Sequence, residues 1–300
     1  MLQVDGVTKT FGGRAALSNV SFGVGPGRIT GFVGANGAGK TTAMRIILGV
    51  LSPDSGQVTV DGVTLTATDR RTFGYMPEER GLYPKMRVAE QITYFGRLHG
   101  MSARDASAST ASLLERLDLS PRAKDTVDSL SLGNQQRAQI AAALVHRPTA
   151  LVLDEPFSGL DPIGVDAVLT VLKDAAADGA PVLFSSHQLD LVERLCDDLV
   201  IIANGRIRAS GSRERLRAEH GHDRYELDVD RPPGSPERLG WLRDVPGVTV
   251  VDLDGGHALF DTSDPSVAQA VLKRALADAS VQRFAPQHPS LAQIFREVIK

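Results

Sequence analysis

Gly34-Ala35-Asn36-Gly37-Ala38-Gly39-Lys40-Thr41 is the stretch on which the reading of this 300-residue chain turns. Before it stands Arg28–Val33, RITGFV, an apolar run with the length of a buried strand. After it comes TTAMRIILGVL (Thr41–Leu51), with Met44, Ile47, Leu48 and Leu51 at helical spacing. Strand, glycine-rich loop and helix in that order make a phosphate cradle. The glycines let the backbone wrap closely enough for successive N–H groups to point inward. The helix beginning at Thr41 adds the positive end of its dipole. The Lys40 ammonium can reach β and γ phosphates, and the Thr41 hydroxyl can ligate Mg2+. The pattern G-x-x-x-x-G-K-[ST] in this setting reads as a nucleotide-binding P-loop.

Outward from the loop, Leu151-Val152-Leu153-Asp154-Glu155 is an apolar strand ending in two carboxylates. In a P-loop protein the strand-end Asp154 is assigned to Mg2+ through its water shell. Glu155, turning toward the γ-phosphate, is assigned to orienting and deprotonating the attacking water. His187 closes the next strand-like run, VLFSSH. At a strand's carboxyl edge, where doubly wound sheets place their ligands, a structural and a catalytic histidine both fit. Residues 88–145 are helix-rich up to Arg147-Pro148, where proline ends a helix. Strands alternating with helices predict an α/β fold with a parallel sheet, here a P-loop NTPase domain carrying a helical insertion.

The composition changes near Gly211, and the charged, turn-rich segment 216–236 (LRAEHGHDR, then RPPGSP) suits a boundary. Beyond it YELDVD, VTVVDL, HALFDT and VQRFA are strand candidates. Helices are expected around ERLGWLRD, SVAQAVLKRALAD and SLAQIFREVIK, the last with Ser290 as N-cap. The expectation is a nucleotide-binding domain over residues 1–215 and a small α+β domain over 225–300.

The 33 Lys and Arg nearly balance 36 Asp and Glu, so the net charge is −3 and provides no global field for nucleic acid or anionic membrane. Cys196 is the single cysteine, which excludes an internal disulfide and fits a reducing, cytosolic compartment. The longest apolar run, Ile140–Val145, is far short of the roughly 20 residues that span a bilayer. The opening MLQVDGVTKTFGG has no basic stretch leading into an apolar core. Any membrane role is expected to pass through a partner.

Between phosphate loop and acidic pair, Leu130-Ser131-Leu132-Gly133-Asn134-Gln135-Gln136-Arg137 resembles the signature motif of ABC ATPases. The other motifs agree in order. Phe11 stands at the adenine-stacking position, Gly74-Tyr75-Met76-Pro77-Glu78 resembles the Q-loop, Ser158-Gly159-Leu160-Asp161 the D-loop, and His187 the switch histidine. The resemblance covers about residues 1–215. It implies nucleotide contacts from Phe11, Gly34 through Thr42, Ser131, Gly133 and Asp161. Mg2+ would be held by Thr41, Glu78 and Asp154, and catalysis would rest on Glu155 and His187. It implies a head-to-tail homodimer, or a paralogous heterodimer, around two ATP molecules, with no nucleic acid. Two departures stand out: LSLGN for the common LSGGQ, and Glu78 where the Q-loop carries glutamine.

Those departures, the GLYP stretch (Gly81–Pro84) and the C-terminal extension resemble stand-alone ATPase subunits of bacterial exporters. In that subgroup a groove receives a helix of a separate transmembrane permease subunit. Arg80, Leu82, Tyr83 and Lys85 are candidates for lining it, or for a solvated loop. The chain would then sit in the cytoplasm, peripheral to the inner face of the cell membrane. The alternative is a soluble ABC ATPase with a non-transport role, but the chain has one cassette and no sustained heptad run.

Overall fold

The computed structural model describes residues 1–79, 81–220, 223–230, 239–262, 264–287 and 290–299, so Arg80 lies outside the described residues. The chain divides into two compact units, Met1–Arg213 and Glu214–Val298. The first begins with β1 (Leu2–Phe11), β2 (Arg14–Val24), β3 (Ile29–Val33), α1 (Lys40–Ile47), β4 (Ser55–Val60), β5 (Val63–Thr64), α2 (Ala67–Arg70) and β6 (Phe73–Met76). It continues through the helical insertion α3 (Val88–Leu98), α4 (Ala103–Arg116) and α5 (Leu132–Leu144). Then follow β7 (Ala150–Leu153), α6 (Pro162–Ala177), β8 (Val182–Ser186), α7 (Leu189–Leu195), β9 (Asp198–Ala203) and β10 (Arg206–Ser212).

Six strands form one sheet in the order β10-β9-β3-β8-β7-β6. All its pairings are parallel except that of the edge strand β10. β3, β7 and β8 are buried at every position, as central parallel strands covered on both faces must be. A second, antiparallel sheet of order β2-β1-β4-β5 lies over it. Between them Leu2, Val4, Leu17, Phe22 and Val58 share a core with Phe32, Met44, Ile47 and Val200. Of this N-terminal sheet the sequence reading foresees only the alternating strand QVTVDG (Gln57–Gly62), which falls on β4. The helix foreseen over Thr41–Leu51 begins at Lys40 and ends at Ile47, with Gly49 at φ +71° turning the chain away. The carboxyl ends of β3, β6, β7 and β8 open on one edge, where the phosphate loop, Glu78, the acidic pair and His187 emerge.

In the second unit α8 (Arg213–His220) leads into β11 (Asp223–Val229), followed by β12 (Val248–Asp254), β13 (His257–Thr262), α9 (Pro265–Asp278), β14 (Val281–Gln287) and α10 (Leu291–Ile299). The sheet order is β12-β13-β11-β14, all antiparallel. Leu227, Val229, Ala258, Phe260, Val271 and Ala275 form its core. The helix foreseen around ERLGWLRD is a short 3-10 turn at Gly240–Asp244, while Glu237 and Arg238 lie outside the described residues. Trp241 on that turn is covered by the Arg274 guanidinium, 4.3 Å from its ring. β12 is an edge strand whose register shifts between Val250 and Asp252, leaving Val251 exposed. Among the described residues no helix is long and apolar enough to cross a membrane.

Candidate nucleotide site

The phosphate loop joins β3 to α1 in a tight wrap that only glycine satisfies at two points. Gly39 has φ +110° and caps α1; a Cβ there would lie 2.8 Å from the Ala16 carbonyl oxygen. A Cβ at Gly34 would lie 2.5 Å from the Ile202 carbonyl oxygen. The Lys40 side chain is buried, and its Nζ donates to the Gly34 and Ala35 carbonyls at 2.6 and 3.3 Å. The loop is thus closed on its own lysine, whose charge already lies inside the ring of backbone groups. Beside it opens a cleft of about 390 Å3, with Asn36, Thr41, Thr42, Glu78, Asp154 and Glu155 in its lining along with Gly37, Gly39 and Lys40.

The acidic pair ends β7, and one hydroxyl on the neighbouring strand organises it. Asp154 is fully buried. Its Oδ2 accepts a hydrogen bond from the Thr41 hydroxyl at 2.8 Å, and its Oδ1 accepts one from the Ser185 hydroxyl. The same Ser185 oxygen accepts the Glu155 N–H at 2.9 Å. Glu155 lies in the left-handed region, φ +52°, which turns its side chain off the strand and into the cleft. Its carbonyl accepts from the Gln136 amide at 2.9 Å, and its Oε1 lies 3.0 Å from His187 Nδ1. Burial raises the Glu155 pKa, with His187 and Lys40 pulling it back. A carboxylate made more basic, still within reach of bulk water through an open cleft, suits proton abstraction from water.

The donor set fits Mg2+. The Thr41 hydroxyl and the Asp154 carboxylate are 2.8 Å apart, and Glu78 adds a second carboxylate to the same cleft. Hard oxygen ligands around one charge-dense position are what a small divalent cation takes. Another carboxylate and histidine cluster with ligand-like spacing, Glu226, Asp228 and His257, lies in the second unit. It is already paired internally: Arg283 is 3.1 Å from Glu226, and His257 is 2.6 Å from Asp228.

The other residues singled out in the sequence lie elsewhere in this unit. Ser131 caps α5, its hydroxyl accepting the Asn134 N–H at 3.4 Å, and no acidic residue occupies that helix's first turn. An uncompensated helix N-terminus of this kind favours an anion. Gly133 stands close to the D-loop backbone, since a Cβ there would lie 3.2 Å from the Gly159 carbonyl oxygen. Leu132 is 59% exposed and lines a second, smaller cleft of about 210 Å3 with Glu155, His187, Ser158 and Gly159. The Asn134 carboxamide oxygen is held by Arg137. Asp161 caps α6 by accepting the Gly164 N–H at 2.7 Å. Phe11, at the tip of the β1–β2 hairpin, is 50% exposed and stands outside the cleft lining, with the Lys9 ammonium 5.6 Å from its ring. Tyr83 is also exposed, clamped to buried Gln91 by a pair of hydrogen bonds, each 3.1 Å.

Two residues of the site, Ser185 and Gln139, escape the sequence reading, and their only signal is a polar side chain inside an otherwise apolar run, VLFSS on β8 and AQIAAAL on α5. Gln136 stands in the signature-like stretch but is given no role by it.

Comparison with known proteins gives the same family from several directions. Residues 17–158 match the ABC transporter family model, and residues 211–299 match the model for the C-terminal domain of DrrA1-3-like ATP-binding proteins. YhaQ of Bacillus subtilis (strain 168), an uncharacterized ABC transporter ATP-binding protein, is 34% identical over 100% of this chain and 98% of its own length. The daunorubicin resistance ATP-binding protein DrrA3 of Streptomyces coeruleorubidus is 33% identical over 98% of this chain and 94% of its own. A solved structure of the ATP-binding subunit of an ABC transporter superposes with a TM-score of 0.69 at 32% identity, covering 74% of this chain and 93% of that one. The chain belongs to the ABC transporter family and is an ATP-binding, ATP-hydrolysing subunit of that family.

Proposed function

We propose that the chain is the motor subunit of an exporter, in which two copies, or this chain and a paralogue, close head to tail around two ATP molecules. The observation that carries the reading is the convergence of Thr41, Asp154 and Glu155 on one cleft beside the phosphate loop, with His187 in the adjoining cleft 3.0 Å from the Glu155 carboxylate they share. Residues 1–215 serve as the ATP-binding domain and 225–300 as an accessory domain. Phe11 stacks on the adenine, and the loop from Gly34 to Thr42 wraps the phosphates. Ser131 and Gly133 of one copy present the N-terminus of α5 to the γ-phosphate held by the other, with Asp161 at the same seam.

Thr41, Asp154 and Glu78 would hold Mg2+, which would supply positive charge against the phosphate groups. Glu155 accepts a proton from water as the water oxygen bonds to the γ-phosphorus and the bond to the bridging oxygen breaks, giving ADP and phosphate. His187 keeps the Glu155 carboxylate directed into the cleft. A separate transmembrane permease receives the motion, which places this chain at the inner face of the membrane. Likeness over nearly full length to a drug-resistance ATP-binding protein supports export.

The test is the solution mass of the Glu155→Gln variant by light scattering, with and without Mg-ATP. The expected result is a shift from monomer to dimer on ATP addition, with hydrolysis slowed by about 10²–10⁴-fold. A persistent monomer that binds ATP refutes self-closure, and near-wild-type turnover refutes the role of Glu155.

A further inference from the structure

We propose that Gln139 is a positioning residue for ATP hydrolysis that acts through Glu78; the proposal rests on the role given to Glu78 above. Gln139 lies inside α5 among Ala138, Ile140 and Ala141, all buried, and is itself only 4% exposed. Its Nε2 donates to the Pro77 carbonyl at 2.8 Å and to the Glu79 carbonyl at 3.4 Å. One amide thus grips the chain on both sides of Glu78, which itself reaches the cleft beside Asp154.

The other half of that amide is left unused. Gln139 Oε1 is buried and finds no hydrogen-bond partner among the described residues. A buried acceptor in that state is unfavourable, and an apolar side chain would fill the position with less penalty. Stability therefore does not explain a glutamine here, whereas the grip on the loop does.

The helix that carries Gln139 is capped by Ser131, about two turns earlier. One turn before Gln139, Gln136 on the same face holds the Glu155 carbonyl. The backbone of Glu155 and the backbone on both sides of Glu78 are thus tied to one rigid rod. The far end of that rod is the anion-binding cap. A displacement of α5 when its cap engages a phosphate moves Glu78 with it.

The test compares Gln139→Met, Glu78→Ala and the double variant in the full-length chain. Methionine keeps the length and removes the amide; the Pro77 carbonyl is half-buried and Glu79 is exposed, so water can replace the lost donor. The expected result is kcat lowered about tenfold, a barrier change of about 1.4 kcal/mol, with KM for ATP within about twofold and Tm unchanged or raised. Hydrogen exchange in the nucleotide-free chain should quicken over residues 77–83 and stay unchanged along α5. In the Glu78→Ala background the methionine should have no further effect. Additive losses, a lowered Tm with KM rising alongside, or wild-type turnover with unchanged exchange would each overturn the proposal. Glu78→Ala with wild-type turnover would instead remove the reading of Glu78 beneath it.

Discussion

Replacing Ser185 by alanine deletes one oxygen and breaks two bonds that bulk water cannot restore. Ser185 and Asp154 are 0% and 1% exposed, so the Asp154 Oδ1 and the Glu155 N–H both lose their partner in a sealed environment. A hydrogen bond to a buried charge contributes about 1.5–3 kcal/mol and one to a backbone amide about 1, which gives about 2.5–4 kcal/mol in all. Ser186 provides the comparison. It is the next residue of the same strand, 3% exposed, and its hydroxyl accepts only the Gln188 N–H, at 3.0 Å. Ser186→Ala should cost about 1 kcal/mol, and the difference of about 2 kcal/mol isolates the acidic pair because the change in side-chain volume is the same. For a unit of this length it corresponds to a Tm about 4–8 °C lower for Ser185→Ala. The signal should be far-UV circular dichroism, since the single tryptophan, Trp241, belongs to the second unit and its fluorescence reports on that unit. Equal destabilisation by the two alanines would refute the bridge from Ser185 to Asp154 and Glu155.

Further expectations concern the nucleotide and pH. Lys40→Ala should weaken ATP binding about 10–100-fold in titration calorimetry, since a charge-assisted contact is lost; unchanged affinity would remove the phosphate-loop assignment. Phe11→Ala should weaken ATP about tenfold while leaving Tm unchanged, because the half-exposed ring supports no core; equal affinity would show that Phe11 does not stack on the base. His146 is pushed from 6.5 down to about 4, first by burial and then by the stacked His99 ring 3.6 Å away. The folded state therefore prefers the neutral ring, so its contribution is complete above pH 6.5 and is lost as pH falls toward 4. At about 1.4 kcal/mol per tenfold in proton affinity the loss is about 3 kcal/mol, or about 2 after screening at a partly exposed ring. Urea unfolding of His146→Gln should show a pH slope smaller by that amount between pH 6.5 and 4.5, and identical slopes would contradict it.

What was legible in the sequence was whatever chemistry pins to a fixed local spacing. The phosphate loop, the acids ending β7 and the capped start of α5 each announce themselves within about ten residues. The first two strands of the N-terminal sheet did not. β1 and β2 pair with register shifts after Val4, Val7 and Lys9, and Asn19 sits at φ +52°, so the period-two alternation that marks a half-buried strand is broken repeatedly. Around Gly240 the stretch read as a helix folds as a 3-10 turn that ends at Asp244, ahead of Val245, which Pro246 disfavours in the helical region. Ser185 and Gln139 were invisible for another reason. Their partners are 31 and 62 residues away, and no local pattern records a contact that only the sheet and the helix packing create.

The shifted edge of β12 bears on how this protein behaves in concentrated solution. A straight apolar edge strand offers its unpaired amides as a template on which a second chain can grow a sheet. Here Asp252 interrupts the run of Val248, Val250 and Leu253 and Asp254 ends the strand, and the Asp252 carboxylate turns back to accept the Leu253 N–H at 3.0 Å. The strand is thereby charged, bent and partly occupied. Neutralising both aspartates would leave the ATP cleft untouched yet give every copy an adhesive margin, so the harm would appear as precipitation on expression before it appeared as lost turnover.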